Sequence, residues 1–245
     1  MLVPRTHSHH AYGKAKETTC VDSIEEKVRS AYESQASGII IQHEHNLLEL
    51  PPCIKMLRSQ LELLIIDNNY NLRHLPGFIG DFLRLRVLDA SYCSIQHVDP
   101  RLGFLCRLEQ LNLSNNKLEY LSIEASRLKS LRKLNVENNN MKVLPGGLLF
   151  LKHLEELTLE NNPFYDPVEI EGAADVTLAP SLSIVECMNC SIPTRNYRTF
   201  ISFHRLCQHV ELPFVFYLCS DACQTQMRDR LDRYNVAQRA RREKQ

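Results

Sequence analysis

Neither sign of charge dominates this sequence. Its 29 Lys and Arg balance 29 Asp and Glu, so composition makes no electrostatic case for nucleic acid or a membrane surface. No apolar run approaches the roughly 20 residues that span a bilayer. The opening stretch, MLVPRTHSHHAYGKAKETTC, has no apolar core of the kind a secretory leader needs. Also missing are a glycine-rich phosphate loop, a G-x-S-x-G elbow, a metalloprotease helix and a recognisable Cys–His nucleophile pair. The expectation is therefore a non-enzyme with no small-molecule substrate, cytoplasmic or else nuclear. Nine cysteines in a chain read as leaderless point to reduced thiols or a metal site rather than disulfides.

What the sequence does have is a repeat. Leu88, Leu111, Leu134 and Leu157 are each followed by an apolar residue two positions on and an Asn or Cys three beyond that. The sets are Leu88/Ala90/Cys93, Leu111/Leu113/Asn116, Leu134/Val136/Asn139 and Leu157/Leu159/Asn162, each 23 residues after the last. This is the leucine-rich repeat pattern, an α/β solenoid of about 23 residues per coil. Alternating apolar residues point inward from a short strand. The Asn that follows pairs with backbone groups of neighbouring coils that would otherwise be buried and unpaired. One coil cannot bury its own leucines, so the core is made by stacking.

About six coils are expected, with strands near residues 39–43, 62–66, 87–91, 110–114, 133–137 and 156–160. The first two are irregular. Placing Ile40 and Leu63 at the first ladder position puts two extra residues before Leu88, assigned to the loop Asn68–Asn71. The division expected along the chain begins with a disordered tail over 1–21, then a capping helix over 22–37. That helix has a Ser23–Glu26 capping box and Ile24, Val28, Ala31 and Tyr32 on one face. Repeats then occupy 38–170, a linker 171–180, and a cysteine-rich tail with a basic C-terminal helix 181–245.

In the tail, Cys187-x-x-Cys190 is followed by Cys219-x-x-x-Cys223. Two such pairs suit tetrahedral coordination of one zinc ion, each pair wrapping one edge of the metal. The apolar run before Cys219 reads as a strand. Ser220 reads as the N-cap of a helix that places Cys223 in its first turn. A knuckle pair plus a pair at a helix start resembles a treble-clef zinc finger. Cys207, His204 and His209 remain as alternative ligands.

The half-coils around LPGFIGDFLRL and LPGGLLFLKHL resemble intracellular repeat proteins of the Ras-binding or scaffold type. With Cys187-Met-Asn-Cys190 and Phe214-Val-Phe-Tyr-Leu-Cys219-Ser-Asp-Ala-Cys223, the whole chain resembles the animal group called leucine-rich repeat-containing protein 28. That resemblance implies an intracellular, non-enzymatic protein.

A solenoid of this type presents the residues between its inward leucines on a concave surface. The expected partner-binding set is Leu64, Ile66, Arg86, Tyr92, Asn112, Asn135, Glu137 and Thr158, graded from apolar to acidic along the face. The function expected is a scaffold or adaptor that binds a protein partner there. The alternatives are a substrate receptor of a ubiquitin ligase and, through Arg195, Arg198, Phe200 and Arg205, a nucleic-acid-binding zinc finger.

Overall fold

A computed structural model describes residues 20–166, 185–194 and 197–242. The expected tail over 1–19, the linker over 171–180 and the start of the second unit at Ser181 lie outside the described residues.

Helix α1 (Cys20–Glu33) buries Ile24, Val28 and Ala31 against the first coil and leaves Tyr32 exposed. Ser23 sits inside this helix rather than at its N-cap, because the helix begins three residues earlier. Its other end is a Schellman turn. Gln35 adopts φ 55°, and the amides of Gln35 and Ala36 donate to the carbonyls of Tyr32 and Ala31. Left-handed backbone is costly for a residue with a Cβ. Gln35→Gly is expected to raise stability by about 0.5–1 kcal/mol, read as a shift of the urea midpoint at unchanged slope.

The coils follow in order. The first supplies β1 (Gly38–Ile40), the second β2 (Leu63–Ile65) and β3 (His74–Leu75), and the third β4 (Val87–Asp89) and β5 (His97–Val98). Then come β6 (Gln110–Asn112), β7 (Lys133–Asn135), β8 (Leu144–Pro145) and β9 (Glu156–Thr158). Strands β1, β2, β4, β6, β7 and β9 form one six-stranded parallel sheet, the concave wall of the solenoid. A 3-10 turn crosses the convex side of each of the first five coils, from Pro52–Leu57 to Gly146–Phe150.

The Asn ladder does what its chemistry requires. Asn139 Nδ2 donates to the carbonyls of Leu113 and Val136 at 2.9 and 3.0 Å, while its Oδ1 accepts from the Leu118 amide at 2.9 Å. Asn116, Asn162 and Asn69 repeat this arrangement. Cys93 stands in as a weak donor to the Ile66 and Ser91 carbonyls. Burial pushes its thiol up to about 11, so it is a structural, un-ionised group. The residue before each ladder position is left-handed: His43, Asn68, Tyr92, Asn115, Asn138 and Asn161 all have φ between 51° and 59°. Asn tolerates that conformation, which accounts for its recurrence there.

Register in the first two coils differs from the sequence expectation. Leu64 pairs with Leu88, and Ile39 with Leu64. Ile39, Ile41, Leu64 and Ile66 are therefore inward core residues, the last three with no exposed surface. The extra residues are divided among the loops rather than collected at Asn68–Asn71. A one-residue slip in a strand exchanges its two faces, so Ile40, Leu63 and Ile65 point outward instead.

The C-terminal unit contains β10 (Val185–Glu186), β11 (Pro193–Thr194), β12 (Arg198–Leu206), β13 (His209–Leu218) and α2 (Asp221–Arg242). It packs directly on the last coils. Strand β13 pairs in parallel with β8, Phe214 opposite Leu144 and Val215 opposite Pro145. Phe214, Phe216 and Leu218 join the same continuous core as Leu149 and Leu151. Gly146 permits this approach, since a Cβ there would overlap the Phe216 ring. At the edge of the concave sheet, His209 Nε2 donates to the Leu157 carbonyl at 2.7 Å. The unit thus closes the C-terminal end of the solenoid, as α1 closes the other.

Candidate metal centre and concave face

Each of the four cysteines is placed by a local turn or cap. Cys187 follows β10 and opens a knuckle: the Ser191 amide donates to its carbonyl at 2.8 Å, and its own amide donates to the Ile192 carbonyl at 3.0 Å. Ser191 takes φ 60° to close the turn, which brings Cys190 round beside Cys187. Cys219 leaves the end of β13. Ser220 Oγ accepts from the Cys223 amide at 3.2 Å, so Ser220 caps α2 and fixes Cys223 in its first turn. Asn189 Nδ2 bonds Gln226 Oε1 at 2.7 Å and ties knuckle to helix.

All four sulfurs lie within 4.8 Å of one another. Cys190 and Cys219 are 3.6 Å apart, and Cys219 and Cys223 3.5 Å. A disulfide would need about 2 Å. Tetrahedral sulfurs at about 2.3 Å from zinc would be about 3.8 Å apart. The cluster can therefore hold one metal ion, and an all-thiolate donor set suits zinc.

The electrostatics of the four thiols fit a site built for a cation. Burial raises the Cys187 thiol, but the backbone amides of Cys190, Asn189 and Cys219 outweigh it and bring it down to about 6. Cys223 is also lowered, by Asn189, Ser220 and the neighbouring thiols. Cys219 is pushed up to about 12 by the crowding of Cys223, Cys190 and Cys187. Cys190 ends raised: the Ile192 backbone lowers it, and burial together with Cys187 and Cys223 prevails. Four thiolates this close repel one another unless a divalent cation sits between them.

The alternative ligands lie elsewhere. Cys207 Sγ faces the Leu154 carbonyl at 3.8 Å, His209 bonds the Leu157 carbonyl, and His204 Nδ1 faces Asn235 Oδ1 at 3.2 Å. Burial lowers the His204 imidazole, which packs among Phe214, Phe216 and Tyr234.

On the concave face, Leu64 and Ile66 are removed from the expected contact set by the register correction. Arg86 lines the edge, bonded to Glu109 at 2.8 Å and near Glu62 at 3.7 Å. Tyr92 is half exposed. Asn112 donates to Asp89 at 3.0 Å, and Asn135 Oδ1 accepts the Glu137 amide at 3.0 Å. Asn112, Asn135 and Thr158 line a shallow depression of about 250 Å³ with Asp89, Lys133 and Glu156. The outward residues that sequence reasoning missed are Ile40, Leu63, Ile65 and Val87. A signal for them existed. Counting back five and three from Asn69, as from Asn116, gives Leu64 and Ile66 as the inward pair.

Together these features define a leucine-rich repeat solenoid closed by a four-cysteine unit. Residues 83–141 and 106–164 match the family model described as leucine rich repeat, and repeats of this kind serve generally as protein-interaction scaffolds. No curated protein matches the chain. Among solved structures, YopM from Yersinia enterocolitica is similar at 22% identity and TM-score 0.45, over 64% of this chain and 31% of that one. The ectodomain of the receptor kinase SOBIR1 from Arabidopsis thaliana is similar at 26% and 0.45, over 51% and 70%. A Leptospira interrogans repeat protein is similar at 23% and 0.39, over 55% and 46%. The chain spans less than half the length of the Leptospira and Yersinia proteins. Among the described residues, no helix is long and apolar enough to cross a membrane.

Proposed function

We propose that this chain is a non-catalytic scaffold that binds a protein partner on the N-terminal half of its concave face, with a zinc-loaded C-terminal unit holding the solenoid closed. The observation that carries this reading is the outward row Ile40, Leu63, Ile65 and Val87 beside Tyr92. Ile40 and Tyr92 are 52% and 49% exposed, and the row runs across three adjacent strands. Contiguous apolar side chains on a sheet face, with an aromatic beside them, suit a protein interface. Farther along, Asp89, Glu137 and Glu160 add carboxylates, while Lys133 is paired with Glu156 at 2.7 Å. A partner segment with apolar anchors at one end and basic residues at the other complements this gradient.

The test compares proteins co-purifying with the wild type and with Ile40→Asp/Ile65→Asp. Both side chains point outward, so melting temperature and metal content are expected to stay level while the specific partner is lost. Retention of the same partner by the double variant would rule out this face. A cysteine substituted at Ile65 should crosslink to that partner, and one at Lys152 on the convex side should not.

A further inference from the structure

The seam between solenoid and C-terminal unit holds a cleft of about 230 Å³ on the convex side, away from the concave face. Two of its walls carry cations. Arg127 ends the fourth 3-10 turn, and Lys129 follows it. Arg230 reaches in from α2, its guanidinium carbon 3.8 Å from the centre of the Phe150 ring. Stacking occupies the face of a guanidinium and leaves its edge donors available. Among the described residues, Arg230 has no carboxylate or carbonyl partner. The single carboxylate lining the cleft, Glu124, already accepts from the Ser122 hydroxyl, and Lys129 Nζ donates to the Ser126 carbonyl at 2.6 Å.

Three cations against one engaged carboxylate, drawn from two parts of the fold, make a site short of negative charge. Its size decides what could supply it. Pockets for drug-sized ligands run to about 300–1,000 Å³, so this cleft takes one charged group with a short stem rather than a nucleotide. Guanidinium forks match phosphate oxygens, and a phosphomonoester brings nearly two charges where a carboxylate brings one. We propose that the cleft is an anion site for the phosphate of a phosphorylated side chain on a protein, with Arg230 and Arg127 as its principal contacts and Lys129 adding charge. Occupation would bridge the 3-10 turns to α2 and tighten the closed end of the solenoid.

The experiment is a ¹H–¹⁵N titration of the full zinc-loaded chain with three probes. These are a glycine-flanked phosphoserine peptide, its unphosphorylated twin, and inorganic phosphate. The expected result is saturable shifts at amides near Ser126–Lys129 and Ser191 with the phosphopeptide, half-complete at or below about 1 mM, and none with the twin. Arg230→Gln and Arg127→Gln should each weaken binding roughly tenfold, and Lys152→Gln outside the cleft should not. Metal content and exchange protection of β13 establish that each variant keeps its seam. Saturation by inorganic phosphate as tight as by the phosphopeptide would overturn the protein source. No saturation by either below roughly 10 mM, or binding indifferent to both arginine variants, would overturn the site.

Discussion

Cys187→Ser with Cys219→Ser is expected to abolish metal binding and to open the C-terminal end of the solenoid. The wild-type chain should carry one zinc per molecule by elemental analysis, and the double variant none. The effect on stability should be large. Structural zinc contributes on the order of 10 kcal/mol of apparent binding free energy to small domains that fold around it, and here the folded unit also covers the last coils. Knuckle, hairpin and helix meet at the four sulfurs. Without the ion, four thiols lose their common counter-charge, and β13 loses the anchor at its end. Amides of β13 and β8 should then lose exchange protection while those of β2, β4 and β6 keep most of theirs, because repeat stability is a sum of neighbour terms. The melting midpoint should fall by roughly 10 °C or more. A wild-type chain without zinc, or a double variant that keeps β13 protected, would reject the metal as the closing element. The liganded state also requires thiolates, so chelator resistance should fall as the pH is lowered.

Asn139→Ala is expected to cost about 3 kcal/mol, the largest effect of a single substitution within the repeats. The side chain is 4% exposed and serves three backbone groups of two coils. The Leu113 and Val136 carbonyls retain second donors, Asn116 and Asn162 respectively. The Leu118 amide has Asn139 Oδ1 as its acceptor and would be left buried and unpaired. Orphaning a buried donor costs about 1–3 kcal/mol, and each lost hydrogen bond about 1 more. Cys93→Ala provides the comparison. The Leu72 amide, the counterpart of Leu118 in that coil, already bonds the Asn69 carbonyl at 2.9 Å, so removing the thiol leaves no orphan and should cost about 1 kcal/mol or less. The difference between the two variants, measured by denaturant unfolding, isolates the role of the ladder amide. Equal costs would mean that volume rather than hydrogen bonding sets the penalty.

The residues most legible in the sequence are those tied to a local rule. The 23-residue period from Leu88 to Leu157 is such a rule, since every coil must present the same inward leucines and the same capping Asn to its neighbour. The convergence of Cys187, Cys190, Cys219 and Cys223 was legible for a similar reason. Short spacing within each pair limits what the sulfurs can do, and Ser220 marks the helix start that positions Cys223. Register failed where the rule weakened. The first coil has no ladder Asn, and the second carries its insertion beside Asn69, so leucine counting placed Leu64 and Ile66 on the wrong face.

By itself, then, the sequence determined a stack of coils with a cysteine-rich unit after it, because periodic patterns and paired ligands act over a few residues. Tertiary structure alone decided how the two parts meet. The pairing of Phe214 with Leu144, the fit of Phe216 over Gly146 and the stacking of Arg230 on Phe150 join residues about 70 or more positions apart. No local propensity encodes such contacts. They follow from the need to cover the apolar end that the last coil would otherwise leave open to water.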